Sequence, residues 1–125
     1  DWKYFIYYHK DKPIAFTELK VFDSKHVLTG QFAWDYQHPK LGMGTYATLY
    51  EIDWSIKNKC KKYYLSYGYE KTSVYKSRFD GFEFWNGRSW IDNKITYKKL
   101  CEYDTDVETL PELNKYQRKY FEVIN

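Results

Sequence analysis

The chain opens on a run with strand character. "DWKYFIYYHK" is dense in aromatic residues, with the β-branched Ile6 among them, and "DKP" interrupts it. "IAFTELKVF" then alternates, with Ile14, Phe16, Glu18 and Lys20 on one parity and Ala15, Thr17, Leu19 and Val21 on the other. Two strands joined by a tight turn at Asp11-Lys12 fit this pattern. "DSK", Asp23 to Lys25, reads as a second turn, and "HVLTGQFAWDY" as a third strand ending near Tyr36. The first thirty-six residues therefore predict a three-stranded antiparallel meander.

After the loop "QHPKLGMG" the period changes. Tyr46, Leu49, Ile52 and Ile56 recur at helical spacing, with Glu51, Asp53, Lys57 and Asn58 between them. The hydroxyl of Thr45 is placed to cap this helix, and Lys57, Asn58 and Lys59 end it with positive charge at its negative pole. "KKYYLSYGY" predicts a fourth strand, apolar enough for the interior of a sheet. "KTSVYKSRF" suggests a short helix and "GFEFW" a strand. Asn86-Gly87 signals a type I′ hairpin, after which "RSWI" pairs back. Leu110-Pro111 marks the start of a terminal helix carrying Leu113, Tyr116, Tyr120 and Phe121.

The 125 residues suit one domain, 1–125, and neither a repeat nor a linker divides them. Hydrophobic residues are 43% and charged residues 30%, a balance that predicts an ordered globule. Much of the apolar content is aromatic, with 15 Tyr, 8 Phe and 5 Trp, so a tyrosine-lined groove or a core with wet edges is expected. A net charge of +3 makes local lysine and arginine clusters more informative than the sum. No apolar run is long enough to span a membrane, and the start lacks a secretory signal pattern. Cys60 and Cys101 form no CxxC pair, so reduced thiols, no metal site and a cytoplasmic setting are expected.

The chemistry centres on "KLGMGTYATLYEI". A strand, a glycine-containing loop and a helix follow in that order. A helix N-terminus offers unpaired N–H groups and partial positive charge, and glycines let an anion approach the backbone. Lys40, Leu41, Gly42, Met43, Gly44, Thr45 and Tyr46 are thus candidates to hold a phosphate-bearing donor. No "GK[ST]" follows, which excludes a Walker loop, and the third glycine of a dinucleotide motif is missing. A plain turn before a helix is the better account of the glycines when they are taken alone.

The second half adds "VYKSRFDGFE". A helical tyrosine followed by Gly-Phe entering a strand resembles the closing signature of the GNAT acyltransferase superfamily, and "LGMGTYA" resembles its donor-pyrophosphate loop. Over about residues 4 to 90 the ordered motifs Gly44-Thr45-Tyr46, Glu51, Tyr63-Tyr64-Leu65, Gly68-Tyr69 and Tyr75-Lys76-Ser77-Arg78-Phe79 resemble the catalytic C-terminal region of arginyl- and leucyl-tRNA–protein transferases. That resemblance implies an α+β, GNAT-like fold with a largely antiparallel central sheet and flanking helices. It implies transfer of an amino acid from aminoacyl-tRNA to a protein N-terminal amine, with no permanently bound cofactor. Tyr75 would protonate the leaving group, and Glu51, or Asp35, would accept a proton. Tyr67, Tyr69, Lys76 and Arg78 would contact substrate or tRNA.

Two other functions stay open. An N-acetyltransferase would use the same loop for acyl-CoA, although Pro39 stands where that superfamily's loop usually opens on a basic residue. A non-catalytic RNA- or protein-binding module would use tyrosines among lysines to stack bases. His9, His26 and His38 are scattered, and His38 alone lies beside the loop.

Overall fold

The computed structural model describes residues 2–37, 39–66, 70–102, 111 and 115. They fall into two compact units divided between Ser66 and Tyr67, and each is taken by itself.

The first unit is a four-stranded sheet with one helix. Strands β1 (Trp2–His9), β2 (Lys12–Phe22) and β3 (His26–Trp34) form the expected antiparallel meander. The first turn sits one residue earlier than the sequence suggests. Lys10 and Asp11 occupy it with φ of 48° and 65°, and Lys12 pairs with His9. The reason lies in Pro13: the residue before a proline is pushed into extended backbone, so Lys12 belongs to the strand. Asp23 and Ser24, also at positive φ, make the second turn, closed by Lys25 N–H donating to the Phe22 carbonyl at 3.0 Å.

Helix α1 (Met43–Lys57) carries the chain from β3 to β4 (Lys62–Tyr64), which runs parallel to β3. A crossover of this kind is what parallel neighbours require. The strand order β1-β2-β3-β4 puts β4 at the sheet edge, not in the interior as its apolar run suggests. Only Lys62, Tyr63 and Tyr64 join the ladder, and Tyr67, Gly68 and Tyr69 lie outside the described residues.

Two sequence expectations for α1 fail. The residue flanking its start is Gly42, in left-handed backbone at φ 59°, ψ 42°, with no side-chain cap, and Thr45 lies inside the helix. A left-handed entry costs glycine nothing, so no hydroxyl is needed to turn the chain there. The buried face is also different. Met43, Ala47, Thr48, Glu51 and Ser55 point inward, while Tyr46, Leu49 and Ile56 are 57%, 54% and 68% exposed. Small side chains let the helix approach the sheet, and close approach outweighs the larger apolar residues opposite. Tyr7, Ile14, Ala15, Met43 and Ala47 form the core between sheet and helix, flanked by Phe5 and Phe32.

Sheet irregularities shape the strands. The β1–β2 register slips between Tyr7 and Tyr8, leaving Ile14 as an extra residue on β2. The β2–β3 register slips again between Thr17 and Leu19. Gly30 lies at that second slip. A Cβ there would come within 2.8 Å of the Trp2 ring and 3.1 Å of Glu18 Cβ.

The second unit contains a 3₁₀ segment (Lys71–Arg78), a small hairpin of β5 (Phe84–Trp85) and β6 (Trp90–Ile91), and helix α2 (Lys94–Glu102). The short helix expected over "KTSVYKSRF" is present in 3₁₀ form. The hairpin is present, but its loop is four residues, Asn86 to Ser89, rather than a two-residue I′ turn. Gly87 has positive φ while Asn86 does not, and the Asn86 side-chain oxygen accepts the Arg88 and Ser89 N–H groups at 2.8 Å each. That local capping competes with the tighter turn. Helix α2 has no counterpart in the sequence reading. The Asn93 side chain caps it by accepting from Ile95 and Thr96, and Tyr97, Leu100 and Cys101 pack with Phe84. The helix expected after Leu110-Pro111 lies outside the described residues, apart from Pro111 and Lys115.

Among the described residues no helix is long and apolar enough to cross a membrane. No three His, Cys, Asp or Glu among them converge as metal ligands. Neither cysteine forms a disulfide; Cys60 is half-buried and Cys101 buried.

Candidate functional site

The first unit holds a cleft of about 380 Å³ over β1 and the start of α1. Phe5, Tyr7 and His9 line it from β1, Leu41 and Met43 from the loop and helix start, and Tyr46 and Tyr50 from the next turns of α1. The walls mix aromatic and aliphatic side chains with tyrosine hydroxyls and the His9 imidazole, so polar and apolar surface are about equal. The Tyr7 ring meets Tyr46 and Tyr50 edge-on, with centroids 6.1 and 5.9 Å away. These contacts fix the wall shared by strand and helix.

Beneath the cleft lies a buried polar network. Glu51 is 2% exposed. One carboxylate oxygen accepts the Tyr7 hydroxyl at 2.6 Å, and the other accepts the Tyr63 hydroxyl in a short hydrogen bond. Three elements, β1, α1 and β4, are thereby tied through one side chain. Burial above all, and then the Glu51 carboxylate, hold the Tyr7 phenol well above the usual tyrosine range. Thr17, also buried, lies near that hydroxyl without a well-formed hydrogen bond, and its small opposing influence does not offset the others. A glutamate amid the polar positions of a helix reads as a surface charge in sequence. Here the two tyrosine hydroxyls supply what burial of a carboxylate demands.

The glycine loop sits at one end of the cleft. Pro39–Leu41 form a 3₁₀ turn, Lys40 is exposed, and Gly42 leads directly into α1. No side chain caps the first turn of this 15-residue helix. A Cβ at Gly42 or Gly44 would meet no atom within 4 Å, so the helix start is open to approach. Its N–H groups and partial positive charge suit an anion. Met43 is buried in the core, Thr45 is exposed, and Tyr46 combines an exposed edge with a place on the cleft wall.

Asp35 accepts from the Gln37 N–H at 3.0 Å and, through its own N–H, bonds the Ile14 carbonyl, which marks it as a loop-shaping residue. His26 packs edge-on against Tyr64, and His38 lies outside the described residues. In the second unit, Tyr75 is half-buried with its ring edge-on to Phe79 at 6.5 Å. Lys76 is half-buried, and burial lowers its ammonium below the ordinary lysine range, while Arg78 is exposed. Tyr67 and Tyr69 are outside the described residues.

Sequence reasoning gave Tyr7 and His9 no place in the site, and named Tyr63 only within a family motif. Nothing in an eight-residue aromatic strand singles out the tyrosine that will meet a glutamate more than forty residues away.

Comparison with known proteins adds a direction. Over 89 residues the chain is 33% identical to an aspartate/glutamate leucyltransferase of Stenotrophomonas maltophilia strain K279a, a match covering 67% of this chain and 35% of the relative. The corresponding protein of strain R551-3 matches at 32% identity over the same shares. The chain thus matches about a third of the length of these relatives. No protein-family model and no solved structure matches it. The matches support a relationship to transferases of this leucyltransferase kind.

Proposed function

We propose that this chain is an aminoacyltransferase of GNAT-like fold that moves an amino acid from aminoacyl-tRNA to a protein N-terminal amine. The observation that carries the reading is the 89-residue match to leucyltransferases in a chain whose helix start opens beside a cleft of mixed aromatic and polar lining. In this reading residues 1–125 act as one domain.

An aminoacyl ester is already activated, so catalysis rests mainly on holding ester and amine together. The uncapped start of α1, with Lys40 beside it, takes a donor phosphate. Leu41, Met43, Phe5 and Ile14 take an apolar acyl side chain, in keeping with the leucyl group in the relatives' name. Glu51 is assigned a positioning role. A buried carboxylate that already accepts two hydroxyls is poorly placed to take a further proton, but it fixes Tyr7 and ties α1 to the sheet. Tyr75 is assigned the acid that protonates the departing ribose oxygen, and Lys76, Arg78, Tyr67 and Tyr69 the contacts to tRNA or acceptor. The donor, and with it the protein, belongs to the cytoplasm.

The test is transfer of labelled leucine from charged tRNA to peptides beginning with Asp or Glu. The reading expects label in the peptide and a large fall in rate for Tyr75→Phe. Thermal stabilisation by acyl-CoA, with no transfer from any charged tRNA, would replace it with the N-acetyltransferase reading. Salt-sensitive RNA binding without turnover would replace it with the binding-module reading.

A further inference from the structure

Resting on that reading, we infer that the outer edge of β1 docks the acceptor polypeptide. The first few residues of the acceptor add to the sheet as a further strand beside β1, antiparallel to it, with their α-amine at the start of α1.

Strand β1 stands at one end of the strand order, and among the described residues β2 is its only ladder neighbour. Alternate residues of a strand turn their N–H and C=O groups to opposite sides, so about half of those on β1 point away from β2. Such an edge binds an extended peptide through its main chain. That mode suits an acceptor defined by its terminal amine, because it reads backbone and asks little of the side chains that follow.

The cleft selects this edge and this occupant. Phe5, Ile6, Tyr7 and Tyr8 all line it. Consecutive residues send their side chains to opposite faces of a sheet, so a cleft that touches all four runs along the backbone edge and not over one face. At about 3.3 Å per residue the four span about 10 Å, the reach of three or so residues of a paired peptide. Tyr46 and Tyr50 of α1 form the facing wall. The sheet's other edge, β4, offers only Lys62, Tyr63 and Tyr64, none of which lines the cleft.

Direction follows from how α1 lies against β1. Met43 shares one core with Tyr7, and Tyr46 and Tyr50 meet the Tyr7 ring. Tyr50 and Trp54 meet the Phe5 ring, with centroids 6.0 and 5.3 Å away. Residue numbers thus rise along α1 as they fall along β1, and the helix start lies toward the C-terminal end of the strand. An acceptor whose amine meets a donor held there begins at that end and runs toward Trp2, antiparallel to β1. Its side chains alternate as those of β1 do. One set joins Phe5 and Tyr7 beside the α1 tyrosines. The other joins Tyr4, Ile6 and Tyr8, which are 61%, 53% and 63% exposed on the opposite face. There Tyr4 and Ile6 border an apolar hollow of about 470 Å³ with Phe16, Ala33 and Trp34. An apolar surface of this kind marks an interaction site.

The experiment measures transfer of labelled leucine from charged tRNA by the wild-type protein to peptides beginning with Asp. One set runs from two to seven residues, one carries a single N-methylated amide at successive positions of a hexapeptide, and one carries a photo-crosslinking residue at the fourth position. The proposal expects kcat/KM to rise about tenfold or more from dipeptide to hexapeptide. N-methylation should cost roughly 3- to 10-fold at every second amide and little between them, since each paired N–H contributes one hydrogen bond. KM for charged tRNA should hold throughout, and the crosslink should map to β1, Tyr46 or Tyr50. A rate independent of peptide length, a scan without the two-residue period, or a crosslink to β4 or the second unit overturns the docking assignment while the observed transfer leaves the aminoacyltransferase reading in place. A stable dimer at assay concentration with a flat scan gives the edge to a second copy and overturns it as well. Wild-type protein that transfers nothing from any charged tRNA overturns both.

Discussion

Removing the Tyr7 hydroxyl tests whether the buried network under the cleft is built as described. Tyr7→Phe keeps the ring and its contacts with Tyr46 and Tyr50, and takes away the 2.6 Å bond to Glu51. A hydrogen bond to a charged group contributes about 1.5–3 kcal/mol. Tyr63 still donates to the other carboxylate oxygen, so a loss of about 2 kcal/mol is expected near pH 8. That is about a thirtyfold shift toward the unfolded chain. Urea denaturation followed by tryptophan fluorescence reads it directly. High pH supplies the sharper test. Tyrosine in an unfolded chain ionises about pH 10. Burial first, then Glu51, hold the native Tyr7 above that range. Its contribution is therefore intact below about pH 10 and is lost as pH rises further, because the unfolded chain releases a proton that the native state keeps. The loss amounts to about 1.4 kcal/mol per pH unit. Phenylalanine has no proton to release. The stability gap between wild type and Tyr7→Phe should accordingly shrink to under about 1 kcal/mol by pH 11. A gap that stays constant from pH 8 to 11 would refute the argument, since Tyr7 would then ionise as freely in the fold as out of it.

Two further substitutions test how the backbone is shaped. Gly30→Ala places a methyl group 2.8 Å from the Trp2 ring and 3.1 Å from Glu18 Cβ; a loss of about 1–2 kcal/mol is expected, with a change in tryptophan emission as the Trp2 ring moves. Lys59 stands at φ 58° just beyond α1, where its N–H donates to the Ile56 carbonyl and that of Cys60 to the Ser55 carbonyl, the pattern of a Schellman cap. Lys59→Gly should raise stability by up to about 1 kcal/mol, seen as a higher melting temperature, because only glycine adopts that backbone without strain.

Local patterns carried much of the first unit. Alternation in "IAFTELKVF", punctuated by polar turns, specified the antiparallel meander, because strand and turn signals span only a few residues. The change to helical spacing after Gly44 located α1, and Lys57-Asn58 its end. Helix α2 was missed although Tyr97, Leu100 and Cys101 stand at helical spacing, because the helix is only nine residues long and those side chains find their partners on β5 and the 3₁₀ segment. The glycine loop was legible as a candidate because two glycines and a lysine precede a run at helical spacing, although the expected cap was Thr45 and not Gly42. Which residues share the cleft with it was not.

What the sequence alone determined is the succession of the first unit's strands and helix, with a glycine-containing loop before that helix. Those follow from short-range backbone preferences. The uncapped start at Gly42, in place of the expected Thr45 cap, was decided by the fold. The inward face of α1, the burial of Glu51 and the choice of Tyr7 and Tyr63 as its partners were decided only in three dimensions. A carboxylate can be buried only where donors from other elements arrive to meet it, and that depends on register and crossing, which no local pattern encodes.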